Sequence, residues 1–278
     1  MIALLVLAIA VLVCGFVIFY GLPVAEGLVP MLSAAQQQNL PLLESLFSAV
    51  IFGMLLVCAL VGGVLCRVNP LRPGAKPAKM ALIGLAMGAS GICVAAAYAG
   101  IHGSLFRGAG LPREAGVLLW GVAIIFFQAA TEEVYFRGWL QPVLARRWGA
   151  ESAVVAAALA FAALHVMGGA RSPTTLVNLF LGGLLFGVLA SYGRGIAGAV
   201  AAHFGWNATE QILLGLDPNP GFGSFGALLD LELSGAPSWG GSDEGLNASV
   251  AMTIALLALI VPLLIMARER KAPAAPSA

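Results

Sequence analysis

The sequence predicts an all-α membrane protein, a polytopic bundle of about eight transmembrane helices. Three observations carry this. Of the 278 residues, 60% are hydrophobic and 10% are charged, and the mean hydropathy is +0.96; a soluble chain carries about 25% charged residues. The apolar residues fall into eight stretches long enough to cross a bilayer as helices. Those stretches are apolar all round and rich in Ala, Leu and Gly, whereas barrel strands alternate apolar and polar residues over about ten positions.

In chain order the stretches cover residues 1–20, 46–66, 80–101, 115–144, 152–167, 174–191, 196–214 and 247–266. The first lacks the basic start and small-residue cleavage site of a signal peptide, so it is expected to remain as a span. The fourth is too long for one straight perpendicular crossing, so tilt, a kink or an emergent end is expected. Pro142 lies near that end and can bend it. The 35 glycines suit close helix packing. Cys14, Cys58, Cys66 and Cys93 all fall in or at spans and read as small buried hydrophobes, not a disulfide frame. Two connections are long. Residues 21–45 contain Pro23, Pro30 and Pro41. Residues 215–246 hold five acidic side chains and no basic one, and their aromatics Phe222, Phe225 and Trp239 suit either an interfacial lid or a solvated connector. A disordered tail is expected over about 268–278. The chain reads as one integral membrane domain, 1–278, with its chemistry confined to a core at about 115–214.

The basic residues orient this topology. With the amino terminus in the cytoplasm and eight crossings, ten basic residues face inward: Arg67, Arg72, Lys76, Lys79, Arg146, Arg147, Arg194, Arg268, Arg270 and Lys271. Three face outward: Arg107, Arg113 and Arg171. An odd number of crossings would split the basic loop from the basic tail. Both termini are therefore expected in the cytoplasm, and the composition suggests a bacterial inner membrane. The net charge of +1 gives no reason to expect a nucleic-acid partner.

One charged residue in a span costs roughly 2.5–3.5 kcal/mol at the bilayer centre. The stretch TEEVYFRGWL, residues 131–140, carries three. Arg137 lies four residues after Glu133, on the same helix face and in the favourable acid-before-base order. Glu132 points about 100° away and has no local partner. An unpaired carboxylate there needs water or another polar helix beside it. His165 and His203 sit inside other spans, with Phe161 one turn before the first and Asn207 one turn after the second. His102, at a span end, reads as interfacial. At 1.5 Å per residue, Glu132, His165 and His203 lie about 22, 20 and 11 Å from the cytoplasmic helix ends, depths that allow one shared cavity.

EEVYFR, FAALH and HFGWN match the patterns EExxxR, FxxxH and HxxxN, in that order on three membrane helices. Over about 115–214 the chain resembles the CPBP family (CAAX protease and bacteriocin-processing), intramembrane endopeptidases that include type II CAAX prenyl endopeptidases. The resemblance implies hydrolysis of a peptide bond in a membrane-anchored protein or peptide. The residues suit a water-based reaction: Glu132 as general base, His165 orienting the water, and His203 with Asn207 donating to the oxyanion. No Ser or Cys stands beside either histidine in sequence, which disfavours a covalent triad. Glu133 and Arg137 are expected to pair structurally. Zinc held by Glu132, His165 and His203 is the rival chemistry, since one carboxylate and two histidines form a known catalytic ligand set. A proton or ion transporter and a non-catalytic scaffold stay open as other classes, although neither inverted repeats nor matched helix breaks are evident.

Overall fold

A computed structural model describes residues 2–108, 110, 113–216 and 225–269. The predicted tail from 270 onward and Phe222 lie outside the described residues.

The fold is an all-α bundle. It begins with α1 (Ile2–Leu28), a one-turn α2 (Ala34–Gln37) and α3 (Leu40–Cys66). Residues 21–45, expected as a loop, are therefore mostly helical. Hydropathy alone hides this, because the extensions rest on capping. Asn39 accepts a hydrogen bond from the Leu42 amide at 3.0 Å, and Pro41 occupies the first turn, where its missing N–H costs nothing. Ser33 caps α2 reciprocally with Gln36. Next come α4 (Pro77–Ile101) and the short strand β1 (Leu105–Arg107).

The fourth predicted span is α5 (Ala115–Glu133), a π-helical turn (Val134–Leu140) and α6 (Gln141–Trp148), an unbroken run of 34 residues. Pro142 sits at the start of α6. Proline removes one backbone donor and crowds the carbonyl four residues earlier. The wider π turn before it absorbs this disturbance. Beyond it lie α7 (Ala150–Met167), α8 (Pro173–Gly193) and α9 (Ala197–Ala208), which runs into a second π turn (Thr209–Leu214). The chain then forms β2 (Leu231–Leu233), antiparallel to β1, and α10 (Val250–Glu269).

Seven of these helices are long and apolar enough to cross a membrane. The seventh predicted stretch, 196–214, is not among them. It is split between α9 and its π turn, and it carries His203, Asn207, Glu210 and Gln211. It packs against α4, α5 and α8, inside the bundle.

The α4–α9 contact is backbone on backbone. A Cβ at Gly84 would strike the carbonyl oxygen of Gly198, and one at Gly88 would strike that of Ala202, next to His203. Small residues at such a crossing let the helices approach. Gly88→Leu is therefore expected to force α9 away and to lower stability by about 1–3 kcal/mol, the range for overpacking. Gly53→Leu, at a position with open space, serves as the control in a thermal unfolding series.

The bundle has two distinct ends. At one, Ala75 donates to Gly193 O at 2.8 Å and Ile196 to Arg72 O at 3.0 Å. At the other, the β1–β2 pair ties 105–107 to 231–233, and Trp239 stacks on His102 with ring centroids 3.5 Å apart. Phe225 is buried among Leu118, Ile125 and Ile212. The connection after α9 is thus anchored to the bundle rather than free in solvent. Glu244 fixes its far side, accepting from the amides of Arg171 and Ser172 at 3.0 and 2.9 Å just before α8.

Candidate active site

Two π turns frame the site. Glu132 and Glu133 end α5, directly before the first; His203 and Asn207 lie in the last turns of α9, before the second. Such turns are frequent at functional sites because the extra residue re-aims the side chains around it.

Glu133 lies at the centre of a buried polar chain. Arg137 Nη1 donates to Glu133 Oε1 at 2.9 Å, with both side chains fully buried. Arg137 Nη2 donates to the carbonyl of Gly183 at 2.9 Å, and its guanidinium lies 4.6 Å from the Phe161 ring centroid. The same Glu133 oxygen contacts His203 Nδ1 at 2.9 Å. Glu133 is therefore shared between Arg137 and His203, not committed to Arg137 alone. The sequence does not reveal this second contact, because His203 is 70 residues away.

A carboxylate can only accept, so this contact puts a proton on His203 Nδ1. The opposite nitrogen, Nε2, stands 3.8 Å from Glu132 Oε2. Phe186 stacks on the imidazole, with centroids 4.7 Å apart and planes inclined by 15°. His203 is thus held from behind by Glu133, on its face by Phe186, and presents Nε2 towards Glu132. His165 is held similarly: Nδ1 lies 3.0 Å from the carbonyl of Phe161, one turn earlier. A carbonyl also only accepts, so Nδ1 carries the proton and, in the neutral ring, Nε2 is left as an acceptor.

Glu132, His165, His203 and Asn207 all line one cavity of about 440 Å³. Glu132 is buried, and its Oε2 has no hydrogen-bond partner. The cavity also holds polar residues that the motifs do not include. Gln128 Nε2 donates to Glu44 Oε1 at 3.0 Å and to Ser48 Oγ at 2.8 Å. Gln128 was accessible to sequence reasoning, being one turn before Glu132 on the same face; Glu44 was hidden by the missed start of α3. Glu210, in the second π turn, lines the same space.

The segment carrying these motifs has a family match.

Residues 114–209 match the type II CAAX prenyl endopeptidase Rce1-like family.

This agrees with the resemblance drawn from the three motifs and supports protease activity in an integral membrane protein. The Rce1-like segment contains every motif residue, from Glu132 to Asn207. It omits α1, α3, α4 and α10, although Val17, Ile18, Ser48 and Met252 from three of these helices line the cavity. Neither a curated protein nor a solved structure matches the chain significantly.

Zinc needs its ligands to converge. Among the described residues, no three His, Cys, Asp or Glu side chains form a group able to hold a metal ion. Glu132, His165 and His203 offer donor atoms of the kinds zinc takes.

Proposed function

We propose that the protein is an intramembrane endopeptidase that hydrolyses a peptide bond in a membrane-anchored protein or peptide, using water activated by Glu132. The observation that carries this reading is the pairing across the cavity: an unpartnered Glu132 oxygen faces a histidine whose far nitrogen is anchored by a second buried carboxylate.

The steps follow from the tautomers. A water in the cavity donates one hydrogen bond to Glu132 Oε2 and one to His165 Nε2. Glu132 removes a proton as the oxygen attacks the scissile carbonyl carbon. The oxyanion accepts from Asn207 and from His203 Nε2. For His203 to donate there while Nδ1 donates to Glu133, the ring must be the imidazolium. The proton held by Glu132 then passes to the leaving nitrogen, and the C–N bond breaks. Ser48, in the same cavity, accepts from Gln128 Nε2 at 2.8 Å.

The positive-inside asymmetry places both termini in the cytoplasm, which puts the cavity towards the opposite face; the composition suits a bacterial inner membrane. The substrate class is membrane-anchored peptide, with a prenylated carboxy terminus as the type named by the matched family.

Reconstitution into proteoliposomes tests this reading. Peptide cleavage without ion flux is the expected result; flux without cleavage would indicate a transporter, and neither would indicate a scaffold. In the same preparation Asn207→Ala is expected to lower turnover by roughly 10²–10³, the cost of one lost oxyanion donor. Full turnover in that variant would leave Asn207 as a helix-packing residue. Metal-depleted enzyme is expected to cut as fast as untreated enzyme. One equivalent of zinc whose removal stops turnover would replace the water-only mechanism and keep the protease.

A further inference from the structure

The bundle end away from the cavity holds a second concave site of about 490 Å³. Arg67, Arg72, Arg146 and Arg194 line it, and no Asp or Glu does. Arg67 and Arg194 are the carboxy-terminal caps of α3 and α8, both in the left-handed conformation with φ of 54° and 56°. Glycine usually takes that position, because a Cβ is penalised there. Arg146 donates to the carbonyls of Cys66 and Arg67, each at 2.7 Å, which fixes the α3 cap against α6. Helix carboxy termini favour a cation, and this accounts for one arginine at each cap. It does not account for four around one hollow with no carboxylate in the lining. Arg137 also contributes to the lining; it is buried, and its Nε has no hydrogen-bond partner. Ala150, at the start of α7, brings one helix amino terminus to the same place, which favours anions; the first amides of α9 are already taken by the carbonyls of Arg72 and Pro73.

We propose that this pocket binds a phosphate-ester anion of phospholipid-headgroup size. Planar guanidinium groups suit the oxygens of a phosphate. The site lies at a bundle end, where the headgroups of that leaflet would stand. The same chemistry could come from a soluble phosphate, so the experiment has two arms. Full-length protein is delipidated in detergent and titrated with phosphatidylglycerol or phosphatidylcholine under native mass spectrometry; a parallel titration uses inorganic phosphate alone. The expected result is preferential retention of phosphatidylglycerol. Each arginine is expected to contribute about fivefold to affinity, so Arg72→Gln/Arg194→Gln should weaken binding by roughly 25-fold. Arg147 and Lys79 are exposed on the same end but outside the pocket, so Arg147→Gln/Lys79→Gln should leave binding within about twofold, as screened surface charge does. Saturable inorganic phosphate binding with the same pattern would support the site with a soluble ligand. Equal weakening by both pairs would reduce it to diffuse surface charge and overturn the proposal. So would equal retention of the two lipids together with no phosphate binding.

Discussion

Glu132→Gln is expected to abolish peptide cleavage while leaving expression and thermal stability almost unchanged. Its carboxylate makes no hydrogen bond through Oε2 and stands 3.8 Å from His203 Nε2. Nothing in the fold needs its charge, and glutamine has nearly the same shape. The loss is therefore chemical: an amide cannot take a proton from water at neutral pH. Activity of the variant measured beside its unfolding temperature separates the two effects. Cleavage at the wild-type rate would remove Glu132 as the base.

Glu133 should behave in the opposite way. Its oxygen serves Arg137 and His203 together, and Arg137 is fully buried at its side chain. Glu133→Gln leaves that cation uncompensated, which can cost about 3–5 kcal/mol. Arg137→Gln strands the carboxylate at a similar cost. The double variant Glu133→Gln/Arg137→Gln is expected to be more stable than either single one, since neutral partners replace both charges. It should remain inactive, because His203 has lost the carboxylate that sets its tautomer. A double-mutant cycle on thermal unfolding checks the coupling. Additive stability losses would reject the pairing, and restored cleavage in the double variant would reject the positioning of His203.

The contrast between these two adjacent glutamates shows how far the sequence could be read. Helical spacing separates them: Arg137 lies four residues from Glu133 and five from Glu132. The three motifs also mark the helices whose side chains meet at the cavity, and the apolar stretches mark most of the bundle. Contacts between distant segments were not legible. The bond from Glu133 to His203 depends on how α9 packs against α5, which rests on the glycines of α4. The π turns were not legible either, because their residues look like ordinary helix. Glu44 was misplaced into a loop since hydropathy windows weigh Asn39 and Pro41 as breakers, whereas at a helix start they are caps. The stretch 196–214 runs through the bundle from the Arg72 end to the end that carries β1 and β2, as one more crossing would, but its polar side chains and its place among three helices leave it less apolar than the other seven.

The central claim is that this protein cuts membrane-anchored peptides through Glu132. Terminal-peptide mass spectrometry tests it whatever the substrate. Membranes from cells making the wild-type protein are compared with membranes from cells making equal amounts of Glu132→Gln. New chain termini within or beside membrane anchors should accumulate only with the wild type; identical termini in the two samples, at matched expression and folding, would contradict the account.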